Sequence, residues 1–359
     1  MSKVTIYTTP ICPYCVRAKA LLKKKGAAFE EIDVFMDSDA RAQMQAKSHG
    51  GRTVPQIFIG ETHVGGCDDL YRARKQGPAR SAAANGMTAF RAACVQLRSS
   101  DDVAENIRVT SEFVREARGK GAQFVATPEN TTLMAPDGGA KLASSYDEAH
   151  DPALPAFAAL AEELGIWLLV GSLAIKVSDT KTANRQFLID PKGRVAARYS
   201  KIHLFDVDLP SGEKYRESNT VAGGDEAVLA DTPWGRIGLT ICYDMRFPQL
   251  YRALAQKGAF LLTAPSAFTE TTGKAHWHIL LRARAIENGA FVLAPAQGGT
   301  HANGRKTYGH SIIVAPWGEV LAEAGTEPGV IVADIDPAAV TEARARVPNL
   351  QHDRPFHGP

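Results

Sequence analysis

Apolar and polar positions along the chain fall into two successive patterns, with a stretch of neither between them. In the first, "VTIYTT" (4–9) alternates like a strand, and "CVRAKALLKKKG" (15–26) puts Ala18, Leu21 and Leu22 on one helical face, with Gly26 as its stop. "FEEIDV" (29–34) predicts a second strand and "DARAQMQAKSHG" (39–50) a second helix. "QIFIG" and "THVGG" predict two strands about a Gly60 turn, followed by a short helix from Asp68.

The second pattern starts at "MTAFRAACVQL" (87–97), which alternates. Val103, Ile107, Thr110, Val114 and Ala117 share one helical face, and "AQFVATPEN" reads as a buried strand ending at Pro128. "GIWLLVGSLAI" (165–175) is a strand, and "RQFLIDPKGRVAARYSK" (185–201) is two strands about an Asp-Pro-Lys-Gly turn. "GRIGLTI" (235–241) predicts a strand, followed by a helix over Pro248–Lys257. The strand "FLLTAPSAF", the helix "AHWHILLRARAIENG", the strand "FVLAPAQ" and a hairpin about Pro316-Trp317-Gly318 complete the series. Alternating strands and helices with added hairpins predict a layered α/β sandwich. The segment between the patterns, "QGPARSAAANG" (76–86), is small, polar and aperiodic, and reads as a linker.

The totals narrow the classes. A chain of 359 residues exceeds what one core usually serves. A net charge of +2 argues against a nucleic-acid partner, which would need a concentrated basic face. The Lys23-Lys24-Lys25 run sits at a helix end, where the dipole favours cations. The start "MSKVTIYTTP" lacks the apolar core of a secretory signal, and no run approaches the roughly 18 apolar residues of a membrane helix. A cytoplasmic protein without a membrane partner is expected, and its five cysteines then read as chemistry rather than staples.

Two cysteine sites stand out. In "TPICPYCVRAK", Cys12 and Cys15 lie where a strand passes into a helix. The free N–H groups there stabilise a thiolate on Cys12, and Cys15 is placed to resolve a mixed disulfide. Half of a zinc site is the alternative, but no second Cys-x-x-Cys follows. In "LTICYDMRFP" (239–248), Cys242 ends an apolar strand before a helix, a position equally open to a packed thiol. A nucleophile at such an elbow is exposed, and the N–H of Tyr243 can face an oxyanion. Glu129 in "ATPEN", Lys201 in "RYSKIHLFD" and Glu217 in "KYRES" also follow apolar strands or lie in adjoining loops. Singly, each reads as easily as a surface charge. Arg246, His276 and Trp277 lie where a substrate pocket could form, with a salt bridge and core packing as the other readings. His276 and His278, two apart on a helix, point apart, and no metal is expected.

Residues 1–75 resemble glutaredoxin at Cys12-Pro13-Tyr14-Cys15, at "TVPQIFI" (Thr53–Ile59) and at "GGCDDL" (Gly65–Leu70). The resemblance implies a thioredoxin-like fold, a cis Pro55, and a glutathione site of Tyr14, Thr53, Val54, Pro55, Gly66, Cys67 and Asp68. Glutathione would be a co-substrate, with no bound cofactor. Two departures are the Thr8-Thr9 pair, where many glutaredoxins carry a lysine, and a curtailed C-terminal helix after Tyr71-Arg72. Residues 88–355, after a linker at 76–87, resemble the nitrilase superfamily of carbon–nitrogen hydrolases. The carriers include "TPEN", "YSKIHLFDVDLP", "RES", "ICYDMRFPQLYRALAQKGA", "PSAF" and "YGHSIIVAPWGEV". That implies a four-layer αββα sandwich, a homodimer through a helical face, and catalysis by Glu129, Lys201, Glu217 and Cys242. Within the superfamily, "SKIHLFDVDLP", "CYDMRFP", "AHW" and "YGHS" are most similar to deaminated-glutathione amidases and less so to ω-amidases. The expected reaction is hydrolysis of deaminated glutathione to 2-oxoglutarate and cysteinylglycine, with a fused thiol–disulfide oxidoreductase. The alternatives are an ω-amidase or other small-amide hydrolase with a passive glutathione-binding module, and a catalytically dead interaction protein. The fusion also suggests that Cys242 becomes glutathionylated and that the Cys12 centre restores it.

Overall fold

The computed structural model describes residues 4–24, 27–48, 50–60, 62–67, 70, 88–210 and 212–358. The chain divides into two compact units, Met1–Gly86 and Met87–Pro359. The expected linker and the helix predicted from Asp68 lie outside the described residues.

In the first unit, β1 (Val4–Thr8), α1 (Pro13–Lys24), β2 (Phe29–Asp33), α2 (Ser38–Lys47), β3 (Gln56–Ile59) and β4 (Thr62–Gly65) follow in order. The sheet runs β2-β1-β3-β4, with β1 parallel to β2 and antiparallel to β3. Side chains alternate across β1. Val4 and Ile6 pack with Ala18, Leu21 and Leu22 of α1, whereas Tyr7 joins Ala40 and Met44 of α2. Asp37 caps α2 by accepting from the amides of Asp39 and Ala40. The Val54–Pro55 peptide is cis, as the resemblance implies.

The second unit is longer. Its first half contains β5 (Phe90–Gln96), α3 (Val103–Gly119), β6 (Phe124–Ala126), α4 (Gly138–Ala143), α5 (Ala153–Leu164), β7 (Trp167–Lys176), β8 (Thr182–Ile189) and β9 (Val195–Ser200). Next come the short strands β10 (Asp206–Asp208), β11 (Lys214–Arg216) and β12 (Val221–Ala222). The second half runs β13 (Val228–Thr232), β14 (Gly235–Leu239), α6 (Pro248–Gln256), β15 (Ala259–Thr263), α7 (Glu270–Asn288) and β16 (Phe291–Ala294). It ends with β17 (Gly298–Thr300), β18 (Lys306–Tyr308), β19 (Ile312–Val314), β20 (Val320–Glu323), β21 (Gly329–Ile335) and α8 (Ala338–Arg346).

Two sheets result. One is ordered β12-β8-β7-β6-β5-β21 with β9 on β8, the other β13-β14-β15-β16-β19-β20. Ala92 and Cys94 of β5 face Ile237, Leu239 and Leu261 of the other sheet, and Phe90 stacks on Trp234 at 4.0 Å. The alternate residues Ala93 and Val95 face Val114 of α3 and Phe157 and Leu160 of α5. Trp277, Leu281 and Ala285 of α7 cover the second sheet. Period-two alternation thus gives the central strands two apolar faces, and the layers stack helix, sheet, sheet, helix. The sequence pattern predicts no element over α5, although Leu154, Phe157, Leu160 and Ala161 are buried on one face and Gly165 caps the helix at φ 61°.

Candidate active sites

In the second unit, four strand ends deliver the predicted residues to one place. Glu129 follows β6, Lys201 follows β9, Glu217 follows β11 and Cys242 follows β14. All four line a cavity of 780 Å³, with Tyr243 on its wall. Local backbone makes this possible. Cys242 adopts φ +49°, the sharp turn that lifts a side chain off a strand end. The Cys242 amide donates to the Pro265 carbonyl at 2.9 Å. β7 approaches the Glu129 loop so closely that a Cβ on Gly171 would lie 1.9 Å from the Thr127 carbonyl oxygen. Only glycine fits there.

The charges are buried together. Lys201, 2% exposed, donates to Glu129 Oε1 at 2.9 Å and to Glu217 Oε2 at 2.9 Å. Asn184 Nδ2 donates to both carboxylates, at 2.8 and 3.2 Å. Glu129 Oε2 accepts from the Ala267 amide at 2.8 Å, and Glu217 Oε2 from the Phe205 amide at 2.7 Å. Every carboxylate oxygen is thereby held in position, which is what a buried ion cluster requires.

Protonation follows from these contacts. Burial alone would raise the Glu129 pKa, but the adjacent Lys201 ammonium and the hydrogen bond from it hold Glu129 below the usual carboxylate range. Burial opposes the Lys201 charge, yet Glu129 and Glu217 overcome it and raise the lysine pKa. Burial and the Glu129 carboxylate push the Cys242 thiol up, and its hydrogen bond to Glu129 adds to the effect. The resting set is therefore an ionised Glu129, a charged Lys201 and a neutral thiol pointed at a base.

A second buried network fixes the elbow. Asp244, 0% exposed, accepts from Tyr199 Oη (2.7 Å), the Ile241 amide (2.9 Å), and the amide and Nδ1 of His203 (3.0 and 2.7 Å). It ties the Cys242 loop to the strand end that carries Lys201. The sequence reading did not single out Asp244, Asn184 or Ala267.

Arg246, His276 and Trp277 are not among the residues that line the cavity. Trp277 is fully buried, donates from Nε1 to the His310 carbonyl at 2.8 Å, and packs on Phe268. Arg246 lies over the Tyr243 and Phe268 rings, within electrostatic range of Cys242, and donates to His276 Nδ1 at 3.3 Å. His278 turns instead to Glu323, whose Oε1 it shares with His310 at 2.8 and 2.9 Å.

In the first unit, Cys12 immediately precedes α1 and is partly exposed, whereas Cys15 is 1% exposed. The Cys15 amide donates to Cys12 Sγ at 3.2 Å, and the thiol approaches the Val54 carbonyl at 3.5 Å. Burial, then a hydrogen bond with Cys12, pushes the Cys15 thiol up to about 12. Tyr14 and Thr53 are exposed, Val54 and Gly66 half-buried and Pro55 buried. The Cys67 side chain belongs to the core with Val4 and Ile57. Asp68 lies outside the described residues.

A buried carboxylate, ammonium and thiol on an αββα sandwich define a cysteine hydrolase, and the first unit pairs a partly exposed cysteine at a helix start with a buried one. The chain belongs to the carbon–nitrogen hydrolase family, whose model matches residues 91–345, and the glutaredoxin model matches residues 4–64. It is similar to a deaminated glutathione amidase of Synechocystis sp., at 41% identity over 74% of this chain and 98% of the relative. It is 38% identical to the human omega-amidase, over 75% of this chain and 96% of that one. Among solved structures, Saccharomyces cerevisiae Nit3, a member of branch 10 of the nitrilase superfamily, superposes with a TM-score of 0.66 at 30% identity, over 72% of this chain and 94% of that one.

Proposed function

We propose that the hydrolase unit cleaves the amide of deaminated glutathione through a thioester on Cys242, releasing cysteinylglycine and then 2-oxoglutarate. The convergence of Glu129, Lys201, Glu217 and Cys242 on one cavity carries the amidase reading. Glu129 takes the thiol proton as Sγ bonds to the carbonyl carbon, so the neutral resting thiol becomes a nucleophile only when a substrate is in reach. The oxyanion meets the Lys201 ammonium and the Tyr243 N–H; one such donor typically contributes about 2.7–4 kcal/mol. Glu129 passes its proton to the departing nitrogen and the C–N bond breaks. It then deprotonates a water that displaces Sγ, and the proton returns to sulfur. Glu217 holds Lys201 in place.

The substrate choice draws on similarity to deaminated glutathione amidases. An ω-amidase is the second reading, favoured by the similarity to the human omega-amidase. A head-to-head assay of deaminated glutathione and 2-oxoglutaramate, with Cys242→Ala as the blank, tests both. Inert oxo-amides beside a nitrile or carbamoyl amine that turns over would overturn the substrate assignment.

The first unit acts as a glutathione-dependent thiol–disulfide oxidoreductase. Cys12 attacks a mixed disulfide, and Cys15 or glutathione resolves it. The hydrolase unit assembles as a homodimer through its helical face. Ile279 and Ile286, two turns apart on α7, are 71% and 52% exposed, and Trp317 beside Ile286 is 50% exposed. An apolar stripe of this kind is costly to leave in water. Light scattering is expected to give a dimer for the intact chain and a monomer for the Ile279→Asp, Ile286→Asp double variant.

A further inference from the structure

Four cations besides Lys201 line the cavity without a role in the chemistry above; Lys214 and Arg216 are exposed and Arg216 pairs with Asp208, which leaves Lys141 and Arg305. Lys141, on α4, uses one donor on Asn130 Oδ1 at 2.7 Å. Arg305, in the β17–β18 turn, donates from Nη2 to the Ala267 carbonyl at 2.8 Å and lies over the Tyr215 ring at 5.3 Å. Its Nε is buried and meets no partner among the described residues. A buried guanidinium N–H without an acceptor is unfavourable and calls for an oxygen. The charge balance calls for the same thing. Glu129, Glu217 and Lys201 leave one net negative charge; Lys141 and Arg305 turn the empty site net positive. Asp137 also lines the wall, but it is exposed and caps α4 through the Ala140 amide.

We propose that Lys141 and Arg305 are the specificity-determining residues of this site and that each reads one carboxylate of a dicarboxylate amide. Lys141 takes the 2-oxo-acid carboxylate on the acyl side, and Arg305 takes the terminal carboxylate of the leaving peptide. This deepens the proposed function and rests on it. The allocation follows from distance along the substrate. Lys141 is anchored on Asn130, next in the chain to Glu129, and lies within electrostatic range of Glu129, Glu217, Lys201 and Arg305. The oxo-acid carboxylate is likewise the nearer one, separated from the scissile carbonyl by a short carbon chain. Arg305 is planar, forked and partly pre-positioned by Tyr215, which suits a carboxylate at the end of a flexible peptide.

The test compares kcat/KM for deaminated glutathione, 2-oxoglutaramate and the uncharged pentanamide. Lys141→Met is expected to lower the ratio of either oxo-amide to pentanamide by about 10- to 100-fold, mainly through KM, as loss of a charge-assisted hydrogen bond does. Arg305→Gln is expected to lower deaminated glutathione relative to 2-oxoglutaramate by about tenfold. If all three amides fall together in both variants, the two residues are merely structural and the assignment is overturned. Binding of 2-oxoglutarate to Cys242→Ala, measured by calorimetry, separates this inference from the activity. Weaker binding with Lys141→Met supports the inference even if the amide assay fails. Absent or unchanged binding overturns it even if the amides turn over.

Discussion

At Glu129 one carboxylate meets an ammonium and a thiol, and both hold it ionised against its burial. Lys201 keeps it ionised, and the Cys242 thiol waits to give it a proton. Glutamine keeps the shape, and its one oxygen can keep the bonds from Lys201 and Asn184, but its amide nitrogen turns a donor toward the Ala267 N–H and cannot accept the thiol proton. Glu129→Gln is therefore expected to lower kcat by about 10²–10⁴, the usual worth of a positioned base. Mass spectrometry of the variant mixed with substrate should show no thioester build-up, because acylation itself needs the base. A kcat within tenfold of the parent would remove Glu129 from this role.

Elements decide how accurately those residues meet. Gly171 lets β7 lie against the loop carrying Glu129. Gly171→Ala forces backbone against backbone, and chemical denaturation is expected to show a loss of about 3 kcal/mol. The β17–β18 hairpin, which carries Arg305, is pinned by His301, 3% exposed, with Nδ1 against the Ser99 carbonyl (2.9 Å) and Nε2 against Thr307 Oγ1 (2.7 Å). Burial lowers the His301 pKa. The folded state therefore binds fewer protons than the unfolded one below the ordinary value of about 6.5. This stabilisation is complete above that pH and is lost as pH falls toward the folded pKa. Denaturation midpoints between pH 7.5 and 5 should drop less steeply in His301→Gln than in the parent. Such details explain what was legible beforehand. Glu129, Lys201 and Cys242 each follow a strand, but singly they read as easily as surface charges or a packed thiol, and the resemblance to the carbon–nitrogen hydrolases is what joins them. Lys141 and Arg305 sit on α4 and a short hairpin, where six-residue and three-residue elements carry no period. For Trp277 the sequence leaves a pocket position and core packing equally open, because a tryptophan on a helix fits either. Only the packing of α7 on the sheet shows that its ring is core and that its N–H serves the His310 carbonyl.

The chain holds two candidate reactive cysteines in opposite surroundings. Cys12 is half-exposed, and a helix-start amide reaches its sulfur. Cys242 is 6% exposed, and burial beside Glu129 keeps it a thiol. Disulfide exchange proceeds through the thiolate, and access to the sulfur limits it further. Glutathione disulfide should therefore react at Cys12 well before Cys242. This runs against the suggestion from the sequence that Cys242 is the oxidised partner restored by the Cys12 centre. The amide reaction avoids the barrier because Glu129 removes the proton as the carbonyl carbon arrives, whereas a disulfide offers the Lys201 site no developing oxyanion to stabilise. Peptide mapping during oxidation at pH 7 is expected to find glutathione on Cys12, or the Cys12–Cys15 disulfide, at least tenfold faster than any adduct on Cys242, with amidase activity retained meanwhile. If amidase activity falls in step with Cys12 oxidation, and recovers with glutathione in the parent but not in Cys12→Ser, the two sulfurs are coupled and the protonation argument for Cys242 fails.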